Sequence, residues 1–99
     1  MRSYSVSIWT VRPGREDEFV ERWRELAAIT ARTMVGRKEQ SRLLRDRDQP
    51  NRFISMAEWD SAGVLRAWRA GPEFRLALDR MREVLDEFSP MTLDDVTKR

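Results

Sequence analysis

The sequence predicts an α+β fold: a ferredoxin-like βαββαβ sandwich with helices covering one face of an antiparallel sheet. Three observations carry that expectation. Residues 3–11 alternate with period two. Two stretches of helical spacing, 15–33 and 61–88, each follow a strand-like run. Between the runs 38–46 and 52–59 lies the turn sequence Asp46-Arg47-Asp48-Gln49-Pro50-Asn51, which marks a hairpin. The 99 residues make one domain, 1–99. A chain this short buries only roughly 60–65% of its unfolded surface, so its core is thin.

In the first strand, Tyr4, Val6, Ile8 and Thr10 face one way, and Ser3, Ser5, Ser7, Trp9 and Val11 the other. Neither face is charged, so the strand belongs in the middle of its sheet. Pro13-Gly14 ends it. The first helix opens on Glu16, Asp17 and Glu18, where acids favour the positive end of the helix dipole. Phe19, Trp23, Leu26 and Thr30 form its apolar stripe. Residues 38–46 read as a polar strand with Leu43 and Leu44 its only strong apolar residues.

The strand 52–59 places Phe53, Ser55, Ala57 and Trp59 on one face, and Ile54, Met56 and Glu58 on the other. Two bulky rings separated by two small residues leave space unless a neighbour fills it. Asp60 or Ser61 caps the next helix, whose apolar face is Val64, Leu65 and Trp68. Gly71-Pro72 breaks it, and Pro72 suits the first position of a second helical piece. That piece is expected to run to Phe88 on the stripe Phe74, Leu78, Met81, Leu85, Phe88, and to stop at Ser89-Pro90. Residues 91–96 then form a short last strand.

Charged residues make up 36% of the chain, but 19 basic and 17 acidic side chains nearly cancel, leaving +2. They are interspersed along the helices, unlike the one-sided stripe of a nucleic-acid site. The third strand, Arg52-Phe53-Ile54-Ser55-Met56, lacks the glycine of an RNA-recognition sheet, so no nucleic-acid partner is expected. The sequence contains no cysteine and no histidine. This excludes disulfides, thiolate chemistry, Cys/His zinc sites and an imidazole base. No acidic loop suited to a hard cation and no nucleotide fingerprint occurs, so neither metal nor cofactor is expected. No apolar run reaches membrane-spanning length, and Ser3, Ser5 and Ser7 interrupt any hydrophobic leader. The expected location is the cytoplasm. The sheet face carrying Tyr4, Val6, Ile8, Ile54 and Met56 is too apolar to meet water, which implies a homodimer closed face to face.

Several short motifs in this order carry a resemblance. They are Val11-Arg12-Pro13-Gly14, the hairpin from Leu44-Arg45-Asp46 to Asn51-Arg52-Phe53, Glu58-Trp59-Asp60-Ser61, Trp68, and Pro72-Glu73-Phe74. Together the chain resembles the antibiotic-biosynthesis monooxygenase-like group of dimeric α/β barrels. The resemblance implies a small-molecule site between sheet and helices. In the haem-degrading branch a first-strand asparagine, a tryptophan and a second-helix histidine are used. Those positions fall on Ser7, Trp59 and Leu78, so only the tryptophan matches and haem is not expected.

The polyketide-oxygenase branch implies cofactor-free oxygenation of an aromatic or quinol-type substrate, the protein only binding, desolvating and orienting it. Trp59 and Ser7 are then the candidate catalytic residues. Ser5, Trp9, Trp23, Phe53, Ser55, Phe74 and Leu78 are the candidate pocket wall. Each has a packing alternative: Trp59 serves as well as a core ring, and the serines as small residues that let the helices approach. Arg66 and Arg69 read as a solvated helix face, with a role at a pocket mouth as the alternative. A non-catalytic ligand-binding dimer of the same fold remains the second functional reading.

Overall fold

The computed structural model describes residues 2–33 and 41–97. Its elements are β1 (Ser3–Val11), α1 (Glu16–Thr33), β2 (Arg42–Arg45), β3 (Arg52–Trp59), α2 (Ala62–Ala70), α3 (Pro72–Arg82) and β4 (Leu85–Asp94). The sheet is antiparallel, in the order β2-β3-β1-β4. This is the expected ferredoxin-like α+β arrangement, with the second helical region split in two. The uncharged β1 occupies a central position, paired with β3 along one side and β4 along the other.

The three helices cover the β1 face that carries Trp9 and Val11, and the core lies between them and the sheet. Phe19 of α1 is fully buried between two strand rings: its centroid is 5.5 Å from Trp9 and 5.0 Å from Phe53. Phe88 of β4 stacks on Trp9 at 4.2 Å. At the start of α1, a hydrogen bond from Arg15 holds the Glu18 carboxyl below its usual range. Glu18 also pairs with Arg22 (2.8 Å), which reaches Glu83 beyond α3 (3.0 Å). Arg80 pairs with Glu25 at 3.2 Å, so charges rim the seam between α1 and α3.

Local chemistry accounts for the boundaries. Ser61 caps α2, its hydroxyl accepting the Val64 N–H at 3.2 Å. Gly71 ends α2 and starts α3, with Pro72 in the first turn, where its missing N–H costs nothing. In the β2–β3 turn, the Asp46 carboxylate accepts the backbone N–H groups of Asp48 and Gln49. Asn51 clamps the same turn onto β1, donating its side-chain amide to the Val11 carbonyl while its own carbonyl accepts the Val11 N–H.

Three expectations are corrected. The last helix ends at Arg82, not Phe88, and the last strand is Leu85–Asp94 instead of 91–96. Leu85 and Phe88 lie three apart, as on a helix, yet both face the core from a strand. A bulge makes this possible: Thr10 pairs with Glu87 but Val11 with Leu85, leaving Asp86 as the extra residue. Pro90 does not stop an element but sits inside β4, an edge strand, where a proline nitrogen turned outward forfeits no ladder bond. Of the expected second strand 38–46, the described residues form strand only at Arg42–Arg45, not at 41 or 46; residues 38–40 lie outside the described residues.

Phe19→Ala removes a fully buried ring from between two others. It should cost about 3–5 kcal/mol, read as a lower urea midpoint with an unchanged slope.

Candidate functional site

The helix-facing rows of β1 and β3 carry an alternation of rings and hydroxyls. Trp9 and Trp59 are both buried, and a buried indole N–H needs an acceptor. Each finds it on the neighbouring strand. Trp9 Nε1 donates to Ser55 Oγ at 2.9 Å, and Trp59 Nε1 donates to Ser5 Oγ at 2.9 Å. The register pairs Trp9 with Phe53 and Trp59 with Ser3, so each bond runs diagonally, to a residue two positions from the direct partner. Ser7 pairs with Ser55 between the two diagonals and is itself buried.

Above this floor lies a cleft of about 60 Å³ that opens to solvent. It brings together seven of the nine residues singled out from the sequence: Ser5, Ser7, Trp9, Trp23, Ser55, Trp59 and Phe74. The remaining two are placed elsewhere. Phe53 packs under Phe19, with the Arg45 guanidinium 5.0 Å from its ring centre, and Leu78 packs against the core from α3. The recess is narrow and open to solvent on one side.

Leu26 and Thr30 of α1 and Leu65, Trp68 and Arg69 of α2 complete the walls. Trp68 stands edge-on to Phe74, with ring centres 6.3 Å apart. Thr30 spends its hydroxyl on the Leu26 carbonyl at 2.8 Å. Arg69 is the residue that reading the sequence as a solvated helix face misplaced. It lies four positions after the buried Leu65, on the same side of α2, and that spacing was the available signal. Its guanidinium donates to Thr92 Oγ1 (2.8 Å) and to the Met91 carbonyl (3.0 Å), tying α2 to β4. Burial pulls its pKa below the usual guanidinium value. Arg66 is exposed, as expected of a solvated position.

Among the described residues, no group of three or more His, Cys, Asp or Glu side chains is placed to hold a metal ion. Among them also, no helix is long and apolar enough to cross a membrane. The walls of the cleft present indole faces, with serine hydroxyls and one guanidinium as polar groups.

The sandwich topology is shared with solved structures of low sequence identity. The family model for antibiotic biosynthesis monooxygenase matches residues 5–80, and the chain belongs to that family. Among solved structures, a mutant of SnoaB, a cofactor-independent oxygenase from Streptomyces nogalater, superposes with a TM-score of 0.85 at 24% identity, covering 98% of this chain and 95% of that one. A Caulobacter crescentus protein provisionally assigned to antibiotic biosynthesis monooxygenases gives 0.85 at 20% identity, over 96% and 90% of the two chains. A conserved protein from Methanosarcina mazei gives 0.84 at 19% identity, over 96% and 93%. Among curated proteins, none matches.

Ser55→Ala leaves the Trp9 N–H, in a side chain only 2% exposed, without its acceptor. The expected loss is about 1–3 kcal/mol in a urea titration. Ser55→Thr, which retains a hydroxyl, should recover part of it.

Proposed function

We propose that the protein is a cofactor-independent monooxygenase that oxidises a small aromatic, polyketide or quinol-type substrate in this cleft, and that it works as a homodimer. The observation that carries the reading is the cleft, an indole-walled recess floored by serine hydroxyls in a chain of the monooxygenase family. The description of SnoaB as a cofactor-independent oxygenase agrees with it.

In this chemistry the substrate is its own reductant. A ring CH2 flanked by phenolic or carbonyl groups loses a proton, and the carbanion transfers an electron to dioxygen. The radical pair combines to a peroxide on that carbon. Loss of water leaves a new carbonyl, so one oxygen atom enters the product and the other departs as water. The protein's part is to hold the ring flat, exclude bulk water and stabilise charge on the ring oxygens. Ser7 donates a hydroxyl to such an oxygen. Trp59 supplies a wall and, through its bond to Ser5 Oγ, orients that hydroxyl toward the ligand.

One observation favours a second reading, a non-catalytic ligand-binding dimer. Among the described lining residues there is no carboxylate, imidazole, thiol or phenol, so any base must be a group of the substrate or water. Oxygen uptake with anthrone or a hydroquinone separates the two. The monooxygenase reading expects consumption above the protein-free rate, reduced on the order of tenfold or more in Trp59→Phe. Binding without uptake favours the accessory dimer.

The dimer rests on the sheet face opposite the helices. There Val6, Ile8, Ile54 and Met91 are only half-buried, while Leu44 (50%), Met56 (37%) and Leu93 (44%) are exposed, a contiguous apolar surface by strand register. Val6→Asp, at the centre of that face, should give a folded monomer by sedimentation at micromolar concentration, where the parent chain sediments as a dimer.

A further inference from the structure

We propose that the cleft selects its ligand by an ionised oxygen on a planar ring, and that Arg69 is the residue that pairs with it. This rests on the cleft being the ligand site. The argument is a balance of donors against acceptors. A tryptophan N–H can only donate, so in the Trp9–Ser55 and Trp59–Ser5 bonds the serine oxygens are the acceptors. Ser5 and Ser55 therefore each keep an O–H to give, and among the described residues neither hydroxyl donates to a protein acceptor. Ser7, only 6% exposed, adds a third such hydroxyl, itself without a side-chain hydrogen bond among the described residues.

Arg69 extends the same imbalance. Both of its acceptors, Thr92 Oγ1 and the Met91 carbonyl, are neutral, and among the described residues no carboxylate lies within 4.0 Å of it. A guanidinium has five N–H donors, so these two bonds leave capacity for a ligand. Thr92 pairs with Ser5 across β1 and β4, which sets the guanidinium beside the Ser5–Trp59 pair. The cleft thus offers three hydroxyl protons and a half-buried cation, with no acidic side chain among its described lining residues. A desolvated cation among neutral acceptors gains most from an anion, and serine hydroxyls complete the solvation of the same oxygen. Between the indoles this describes an aromatic carboxylate or a phenolate.

Isothermal titration of the intact protein with 2-naphthoate and its neutral counterpart 2-naphthamide provides the test, with 4-nitrophenol as the phenolate probe. The parent chain should bind naphthoate about 10- to 100-fold more tightly than naphthamide, the range expected of a charge-assisted hydrogen bond. It should also lower the ionisation midpoint of bound 4-nitrophenol, read from the absorbance of the phenolate. A preference for naphthoate without that shift assigns the site to carboxylates, and the shift without the preference assigns it to phenolates; either supports the proposal. In Arg69→Gln, which keeps amide N–H donors toward β4, both effects should vanish while naphthamide binds within about threefold of the parent. If both ligands weaken equally in Arg69→Gln, or the parent binds them equally with no shift, Arg69 only pins α2 to β4 and the proposal fails while the cleft stands as a ligand site. If no probe binds the parent chain, the cleft is not a ligand site, and the proposed function falls with the inference.

Discussion

A buried indole N–H must be accepted by something, and in this protein the acceptor is a serine on the next strand. Trp9 reaches from β1 to Ser55 on β3, and Trp59 reaches back from β3 to Ser5 on β1. Both are diagonals of the same offset, so a single register satisfies them together. A slip of one residue would turn Ser55 and Trp59 of β3 to the opposite face, leaving the Trp9 donor buried without its acceptor and parting Trp59 from Ser5. The polar bonds therefore help to lock the alignment of the two central strands. They also require a serine, not a bulky side chain, at the diagonal position from each tryptophan. The recess under the helices is the volume that this requirement leaves unfilled.

The helix-facing and open faces of the sheet divide the remaining roles. The first carries the rings and hydroxyls on which α1, α2 and α3 close; the second carries an apolar surface that, among the described residues, no helix covers. Membership of the antibiotic biosynthesis monooxygenase family accords with this division. Cofactor-free oxygenation asks little of a protein beyond a dry, shaped and electrostatically biased recess. A chain without histidine or cysteine can supply that, provided the substrate brings its own reducing power.

Much of the architecture was legible in the residues because its signals are local. The alternation of Ser3–Val11, the stripe of α1, the Asp46–Asn51 turn and the Gly71-Pro72 break each act over a few residues and each match the observed element. The misreading at 85–90 has an equally local cause. The bulge at Asp86 adds one residue to β4, so inward-facing Leu85 and Phe88 acquire the spacing of a helix. Pro90 then resembled a stop signal because nothing in the sequence says that β4 is an edge strand.

Candidate site residues were legible where a strand alternates, since Ser5, Ser7 and Trp9 and then Ser55 and Trp59 fall on one face by periodicity alone. Phe53 shares that periodicity yet packs under Phe19, because how far along a strand a helix ring lands is not a local property. Arg69 was less legible still, since its charge suggests solvent while its position four after Leu65 places it against Thr92 and Met91. The sequence by itself determined most of the elements and their order, for these follow from short-range periodicity and turn chemistry, while its short motifs carried the family resemblance. Only the tertiary structure decided which donors remain unspent in the cleft, because that balance depends on which side chains meet across strands and helices distant in the chain.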